Sequence, residues 1–347
     1  MTNTQSAKWP LVSIIIPVYN GLKFLPVSLP SVLALDYPDL EITVIDDHST
    51  DGTETLLSEK YPALRVIRHE RNRGLDYSFN EGFRLATGKY VFYVNQDTVY
   101  QPDYLKICVE RLEADSSLAA VTGKTYKYDF ANRRASHIID SAGILIFKNR
   151  RVLDRGQGEE DQGQYEKAGR VFGVSGHNPI YRRSALSDVA VPVPGRPDRE
   201  VFDEDFFMYK EDVDLAWRLQ LFGWSSFYEP CAVAWHGRAT SAVKRSNYLE
   251  ILRNRGKLSS LQKYHSIKNR YLMQLKNELC SLYFRDFFRI WWNDLLYFGY
   301  NLGFNTRSIG AYFAALALFP KMWKKRRWIM KNRKVKARDL RKWFKTK

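Results

Sequence analysis

Val12-Ser13-Ile14-Ile15-Ile16-Pro17-Val18, which runs into Tyr19-Asn20, and Leu40-Glu41-Ile42-Thr43-Val44-Ile45, which runs into Asp46-Asp47, together decide the fold. Each is a short apolar run that stops abruptly at polar residues, as strands buried on both faces do. Between them lies a helical pattern reaching about Leu35, in which Pro30 fits only if the helix starts late. Ser49-Thr50-Asp51-Gly52 opens a second short helix, with Asp51 as a cap. Arg65 to Arg68 predicts a third strand. Asp76 to Ala86 predicts a helix stopped at Gly88, and Tyr90 to Val94 a fourth strand ending at Asn95-Gln96-Asp97. Strands alternating with helices imply parallel pairing through right-handed crossovers. Ligands of such sheets bind beyond the strand ends, so Asp46, Asp47 and Asp97 are expected to share one rim.

After about residue 115 the pattern loosens. Gly156 to Tyr165 is polar and glycine-rich, and predicts a loop. Phe206 to Gly223 is strongly helical, beginning near Tyr209-Lys210-Glu211-Asp212, with Trp217 and Leu221 as core residues. Ala232 to Trp235 predicts a short strand that delivers His236. The expected organisation is an N-terminal tail (1–10), an α/β body with a mainly parallel central sheet (11–265) and a helical, basic region (266–347).

Composition sets outer bounds. The 347 residues are 45% hydrophobic, enough for a large core, which excludes global disorder. Cys108, Cys231 and Cys280 are far apart, so a disulfide scaffold and a cysteine-rich zinc module are excluded and a reducing compartment is expected. No signal-peptide core and no apolar run of about 20 residues occurs, so a cytoplasmic chain without an ordinary membrane span is expected. The net charge of +16 is uneven: residues 321–347 hold 14 Lys/Arg and one acid, Asp339. Ahead of that tail, Phe284, Phe287, Phe288, Trp291, Leu295 and Phe298 recur at helical spacing, with Arg285, Arg289 and Asn293 on another face. Ile309 to Phe319 is apolar throughout, yet too short to span a bilayer. Aromatic face plus polybasic segment predicts peripheral attachment to the inner face of the plasma membrane, released by removing residues beyond about 280. A bundle with a solvated basic face is the plainer alternative. Nucleic-acid binding by the tail ranks third.

The polar residues allow a definite chemistry. Asp97, closing an apolar strand, is a hard oxygen ligand for Mg²⁺ or Mn²⁺ shared with substrate phosphates. His236 would add a nitrogen ligand, which favours Mn²⁺. Asp46 and Asp47 suit a base N–H and ribose hydroxyls. Asp212, beside Glu211, suits a general base once burial or a neighbouring carboxylate raises its pKa. Each has a plainer reading: a strand-end Asp as a helix cap, Glu211, Asp212 and Asp214 as an acidic first turn, His236 as structural.

The ordered set resembles family 2 glycosyltransferases with a GT-A fold. Pro17-Val18-Tyr19-Asn20-Gly21, Val44 through Thr53, Asn72-Arg73-Gly74, Asn80-Glu81-Gly82 and Ala86-Thr87-Gly88 are similar to the family's opening. Asn95-Gln96-Asp97 resembles its metal-binding D-x-D element, with Asn at the first position. Phe202 through Tyr209, Glu211-Asp212-Val213-Asp214, Trp217-Arg218-Leu219 and Gly223-Trp224 resemble the acceptor side of rhamnosyltransferase-like members. The resemblance covers residues 11 to about 265. It implies inverting transfer from a nucleotide-sugar, with dTDP-L-rhamnose favoured over UDP-galactose, UDP-N-acetylglucosamine or a GDP-sugar. It places the donor on Pro17, Val18, Tyr19, Asn20, Asp46, Asp47, Asn72, Gly74, Asn95 and Gln96. The metal falls to Asp97 and His236, and base catalysis to Asp212. The acceptor, a lipid-linked glycan of cell-surface polysaccharide synthesis, falls to Gly176, His177, Glu211 and Arg218. A nucleotidyltransferase would want a richer glycine loop than Tyr19-Asn20-Gly21-Leu22. A dinucleotide oxidoreductase would want G-x-G-x-x-G after a strand, and none is present. A nucleic-acid-binding protein leaves the acidic rim unexplained, so no nucleic acid is expected.

Overall fold

The structure is a computed structural model that describes residues 9–237 and 259–346. Most of the expected N-terminal tail, the 238–258 stretch of the body and Lys347 lie outside the described residues.

The first half follows its pattern closely. β1 (Val12–Val18), α1 (Leu25–Leu33), β2 (Leu40–Asp46), α2 (Thr53–Lys60), β3 (Arg65–Arg68), α3 (Leu75–Leu85) and β4 (Tyr90–Tyr93) succeed one another. β1 pairs parallel with both β2 and β4, and β2 with β3. α1 runs straight through Pro30. Pro26, whose carbonyl loses its partner there, and Pro30 both face solvent, so water can take up the freed group.

The second half is mixed. β5 (Thr98–Tyr100), α4 (Tyr104–Ala114), β6 (Leu118–Asp129), β7 (Arg134–Ser141), β8 (Ile144–Phe147), β9 (Val152–Asp154), β10 (Gly169–Val171) and β11 (Ile180–Arg182) lead to α5 (Arg183–Val189). A two-residue pair, β12 (Val191–Pro192) with β13 (Arg199–Glu200), precedes α6 (Glu211–Leu221) and β14 (Ser225–His236). The main sheet runs β10-β14-β6-β11-β4-β1-β2-β3, with β5 on β14 and β7 on β6. β11 is antiparallel to both neighbours, so the expected parallel sheet ends at β4, although β6 and β14 are again parallel. β14 is longer than the strand expected at Ala232–Trp235. A register shift between Glu229 and Val233, around Pro230, hid its first part.

Alternation sorts the core into two clusters on opposite sheet faces. Ile14, Ile16, Val44 and Phe92 pack with α1 and α4, whereas Ile15, Ile45, Val91 and Tyr93 pack with α3, α5 and α6. The second cluster also takes in Leu272, Met273, Leu282, Met322, Ile329 and Phe344. These belong to α7 (Ser260–Asn277), α8 (Cys280–Phe304), α10 (Phe319–Asn332) and the last strand, β15 (Phe344–Lys345). α9 (Gly310–Ala317) bridges them, and the short α11 (Ala337–Leu340) precedes β15. The expected boundary at 265 thus falls inside α7.

The basic tail is likewise partly internal. Lys325, fully buried, is paired with Asp203, Glu200 and Asp205. Lys276 joins Asp203 and Asp214, and Lys334 joins Asp188. Removing everything beyond residue 280 would leave Asp203 and Glu200 buried without Lys325 and would open the core, so that cut tests folding before it tests membrane release.

Candidate active site

The rim forms where β1, β2 and β4 end, and short-range hydrogen bonds shape it. The Asn20 amide donates to Ser49 Oγ and Asn20 Oδ1 accepts from the Thr50 amide, so the loops after β1 and β2 are stitched together. Asp51 takes the Leu22 amide and both donors of Thr53, but from the position before the cap, which is Gly52 and not Asp51 as expected. Gln96 accepts from the Tyr19 amide at 2.9 Å and donates to the Tyr19 carbonyl at 3.1 Å, tying the loop after β4 to the loop after β1. Pro17 and Val18 close β1 beside it.

Asp46 and Asp47 share this edge but are spent inside the protein. Asp46, 1% exposed, accepts from the Ser49 amide and lies 3.2 Å from Arg68. Asp47 accepts from the Arg73 and Gly74 amides at 2.7 and 2.8 Å and contacts His69. Backbone donors thus take both oxygens of Asp47, whereas Asp46 Oδ2 is buried with no hydrogen-bond donor. Asn72 reinforces the turn by accepting from Gly74. Gly74 is required there, because its φ is +90° and a Cβ would meet the Phe207 ring at 2.5 Å.

The second centre lies where β5 pairs with the end of β14. Thr98 is opposite His236, and the Gly237 amide donates to the Asp97 carbonyl, so Asp97 and His236 meet. His236 Nε2 is 3.3 Å from Asp97 Oδ1, and its Nδ1 is 2.9 Å from Asp140 Oδ2. The His177 ring stacks on that of His236 with centroids 4.5 Å apart. Burial opposes charge on His236, but Asp97 and Asp140 raise its pKa to about 9. Burial alone would raise Asp97, yet His236 holds it below the ordinary carboxylate value. Two carboxylates around one imidazole make a strong cation-holding field. A divalent ion in place of the proton would take a hard oxygen from Asp97 and a nitrogen from His236, with Asp140 fixing the ring from behind. The residues therefore fit Mn²⁺ or Mg²⁺. Asn95, where a D-x-D element has its first acid, keeps its Oδ1 buried with no hydrogen-bond donor.

The third group opens α6. Asp212 Oδ2 accepts from the Gly176 amide at 3.2 Å. A Cβ on Gly176 would sit 3.3 Å from Asp212 and 3.5 Å from Glu211, so the bare backbone lies directly over the pair. Gly176 and His177 are consecutive, one on the Asp212 carboxylate and the other on the His236 ring. One short loop, the stretch Gly173 to His177, thus joins the acid pair to the Asp97–His236 centre. Burial first, and then the charge of Asp212, pushes Glu211 up to about 8. Burial and Asp154 raise Asp212 as well. Both carboxyls of the buried pair are thus pushed above the ordinary carboxylate range, so the pair takes up a proton more readily than free carboxylates do.

Arg218 is not part of this group. It is buried, with its guanidinium on Asp214 and the carbonyls of Val189 and Val201. Six residues beyond Asp212 is about 240° around a helix, which turns it away from the rim. Trp217 and Leu221 are fully buried, as expected of core residues.

Two supports escaped the sequence. Asp140 sits on β7 with nothing local to mark it. The other support is the approach to Asp212, within the helical segment expected from Phe206 and beginning near Tyr209, which starts at Glu211. Instead, Phe207, Tyr209 and Lys210 all adopt left-handed φ values of 69–74°, a costly run for non-glycine residues. Asn269 of α7 compensates: its Nδ2 lies 3.1, 2.8 and 2.8 Å from the carbonyls of Phe206, Met208 and Tyr209. His265 and Lys268 take the carbonyls of Phe206 and Asp205.

Comparison with known proteins gives the family and the fold. The model of the family described as "Glycosyl transferase family 2" matches residues 13–190. The chain belongs to glycosyl transferase family 2. Poly-beta-1,6-N-acetyl-D-glucosamine synthase of Staphylococcus epidermidis is 30% identical over 227 residues, which are 65% of this chain and 49% of that relative. Chondroitin synthase of Escherichia coli is 37% identical over 115 residues, 32% of this chain and 17% of that one. This transferase thus spans about half the length of the first of these relatives, and less of the second. Among solved structures, S. aureus TarS residues 1–349 superposes with a TM-score of 0.51 at 18% identity, over 90% of this chain and 80% of that one. The mannosyltransferase PcManGT from Pyrobaculum calidifontis gives 0.50 at 19% identity, over 94% and 88%. Both show that the GT-A fold is shared.

Proposed function

We propose that this transferase moves one sugar from a nucleotide-diphospho-sugar to a hydroxyl of a glycan acceptor, with inversion, in polysaccharide synthesis. The observation that carries the proposal is the Gly173–His177 loop, which sets a raised carboxylate pair beside a cation-holding Asp–His pair. The nucleotide lies along the backbone of Pro17 to Asn20 and the turn at Asn72 and Gly74, with Asn95 and Gln96 beneath it. Asp97 and His236 would hold the divalent ion, which supplies charge neutralisation of the departing diphosphate. Asp212 takes the proton of the acceptor hydroxyl as that oxygen bonds to the anomeric carbon and the bond to the diphosphate breaks. The Gly176 amide aims the carboxylate, and burial beside Glu211 raises its basicity.

No relative reported above has rhamnose in its name, and the S. epidermidis protein has N-acetyl-D-glucosamine. We therefore place UDP-N-acetylglucosamine ahead of dTDP-L-rhamnose as the donor. The acceptor is lipid-linked and met at the inner face of the membrane. Among the described residues no helix is long and apolar enough to cross a membrane. However, Phe284, Phe288, Trp291, Phe304, Phe313 and Leu316 stand out into solvent, Phe288 and Phe304 by more than 80%. An unpartnered aromatic face beside basic residues supports a peripheral contact.

Calorimetry with UDP and dTDP, each with and without Mn²⁺, tests the donor side on wild type and Asp97→Ala. The expected result is Mn²⁺-dependent binding of UDP that the substitution abolishes. Binding that ignores both the metal and the substitution would remove the proposal.

A further inference from the structure

A groove of about 500 Å³ opens between α7, α8 and α9. None of the rim, metal or acid-pair residues lines it. Leu272 of α7 and Ala315 of α9 line it and are buried, whereas Trp291, Leu295 and Phe298 of α8 and Leu316 of α9 line it and are exposed. The one carboxylate in its lining, Asp294, is held by Arg270. The volume lies within the roughly 300–1,000 Å³ of small-molecule sites. The groove also belongs to something longer than itself. On α8, Phe284, Phe288, Trp291, Leu295, Phe298 and Leu302 follow one another at steps of four and three residues, which puts them on one face. All six are exposed, so the stripe continues past both ends of the groove.

Charge decides what covers this face. From Leu295 to Arg338 the sequence holds no Asp or Glu. Arg289 of α8 and Lys324 and Arg327 of α10 are exposed and, among the described residues, form no ion pair. A second copy of the chain seated on the stripe would bring the same cations against one another. A soluble small molecule would fill the groove and leave the rest of the stripe in water. A leaflet with anionic lipids answers both features at once, because hydrocarbon meets the aromatic residues and phosphate meets the cations.

We propose that the groove between α7, α8 and α9 takes an acyl chain of an anionic membrane phospholipid, while the exposed cations of α8 and α10 face headgroup phosphates. The proposal rests on the peripheral membrane contact above and adds a defined slot to it. One chain seated on Leu272 and Ala315 fixes how the protein sits on the leaflet, whereas a flat stripe would only hold it there.

The test uses the full chain with two probes: dihexanoyl phosphatidylglycerol below its micelle concentration, in calorimetry, and vesicles of phosphatidylcholine with or without phosphatidylglycerol, in sedimentation. Two double variants change exposed positions only, and an unchanged melting temperature shows that both fold. Leu295→Gln with Leu316→Gln alters the groove, and Phe284→Gln with Phe304→Gln alters the aromatic surface outside it. Wild type is expected to bind the monomeric lipid at one site and to sediment with vesicles that contain phosphatidylglycerol. The groove variant should weaken the monomeric binding by about tenfold or more, whereas the outer variant should leave it unchanged and weaken sedimentation alone. Unchanged binding of the monomeric lipid by the groove variant would overturn the groove, and vesicle sedimentation would then still support the membrane contact. Sedimentation with neither kind of vesicle would remove the membrane contact and, with it, the bilayer lipid as occupant. A concentration-dependent dimer in analytical ultracentrifugation, abolished by the groove variant, would assign the groove to a second copy of the chain instead.

Discussion

The loops that shape the nucleotide rim and the loop that carries Asp212 are built in opposite ways. On the nucleotide side, Asp46 binds an amide three residues away, Asp47 orders a turn 26 and 27 residues on, and the loops after β1 and β2 hold each other. On the acceptor side, the segment entering α6 is held from α7, by Asn269 some 60 residues later, and its carboxylates by Lys325, 122 residues from Asp203. The difference teaches that this fold has a self-supporting rim at the ends of β1 and β2, and that the segment carrying the proposed base, Asp212, depends on the C-terminal helices. The basic region expected as an appendage is thus part of the active-site scaffold.

The largest expected effect lies at the base itself. Asp212→Asn should lower transfer about a thousandfold while calorimetry still shows donor binding, and full activity would place the base elsewhere. Next comes the buried lysine. Lys325→Ala leaves buried Glu200 without its cation and Asp203 with Lys276 alone, and should cost about 3–5 kcal/mol in chemical denaturation. Arg68→Ala on the rim side should cost less than that, because water reaches the one-third-exposed Arg68 although its partner Asp46 is buried. Equal costs would erase the contrast between the two regions.

The pH dependence sharpens it further. Burial, then Lys268, lowers His265 to about 4 in the fold, against about 6.5 unfolded. The unfolded chain therefore binds the proton first. Stability is fully present above about pH 6.5 and is lost as pH falls toward 4, by up to about 3 kcal/mol. His265→Gln should flatten that part of a melting-temperature profile, and an unchanged profile would mean that His265 is not held neutral. The smaller of the two effects on catalysis belongs to Asn269→Ala. It should lower kcat about tenfold to thirtyfold with the KM for donor unchanged, because the loop loses its carbonyl clamp while the nucleotide rim keeps its own bonds. A change confined to the donor KM would tell against the clamp.

Much of the donor half was legible because its signals are local. Buried strands announce themselves as apolar runs, and the polar residues that end them mark the rim, so β1 to β4 appear within a residue or two of their expected bounds. Asp97, His236 and Asp212 were nameable from strand ends and a helix start, whereas His177 came only through the family resemblance. That Asp47 serves the backbone was not nameable, because an inward and an outward strand-end carboxylate have the same sequence. Arg218 looked available because a charged residue on a helix near Asp212 gives no sign of which way it turns.

The amino-acid sequence alone determined the alternating α/β order, the rim, the chemical types gathered there and the unevenness of the charge. All of these follow from periodicity and composition, which are properties of neighbouring residues. Tertiary structure alone decided that Asp140 orients His236, that Gly176 and His177 join the two centres, and that Asn269, Lys276 and Lys325 hold the catalytic segment. The physical reason is that a hydrogen bond or ion pair acts over about 3 Å whatever the separation along the chain. Its partners become visible only once folding has brought them together.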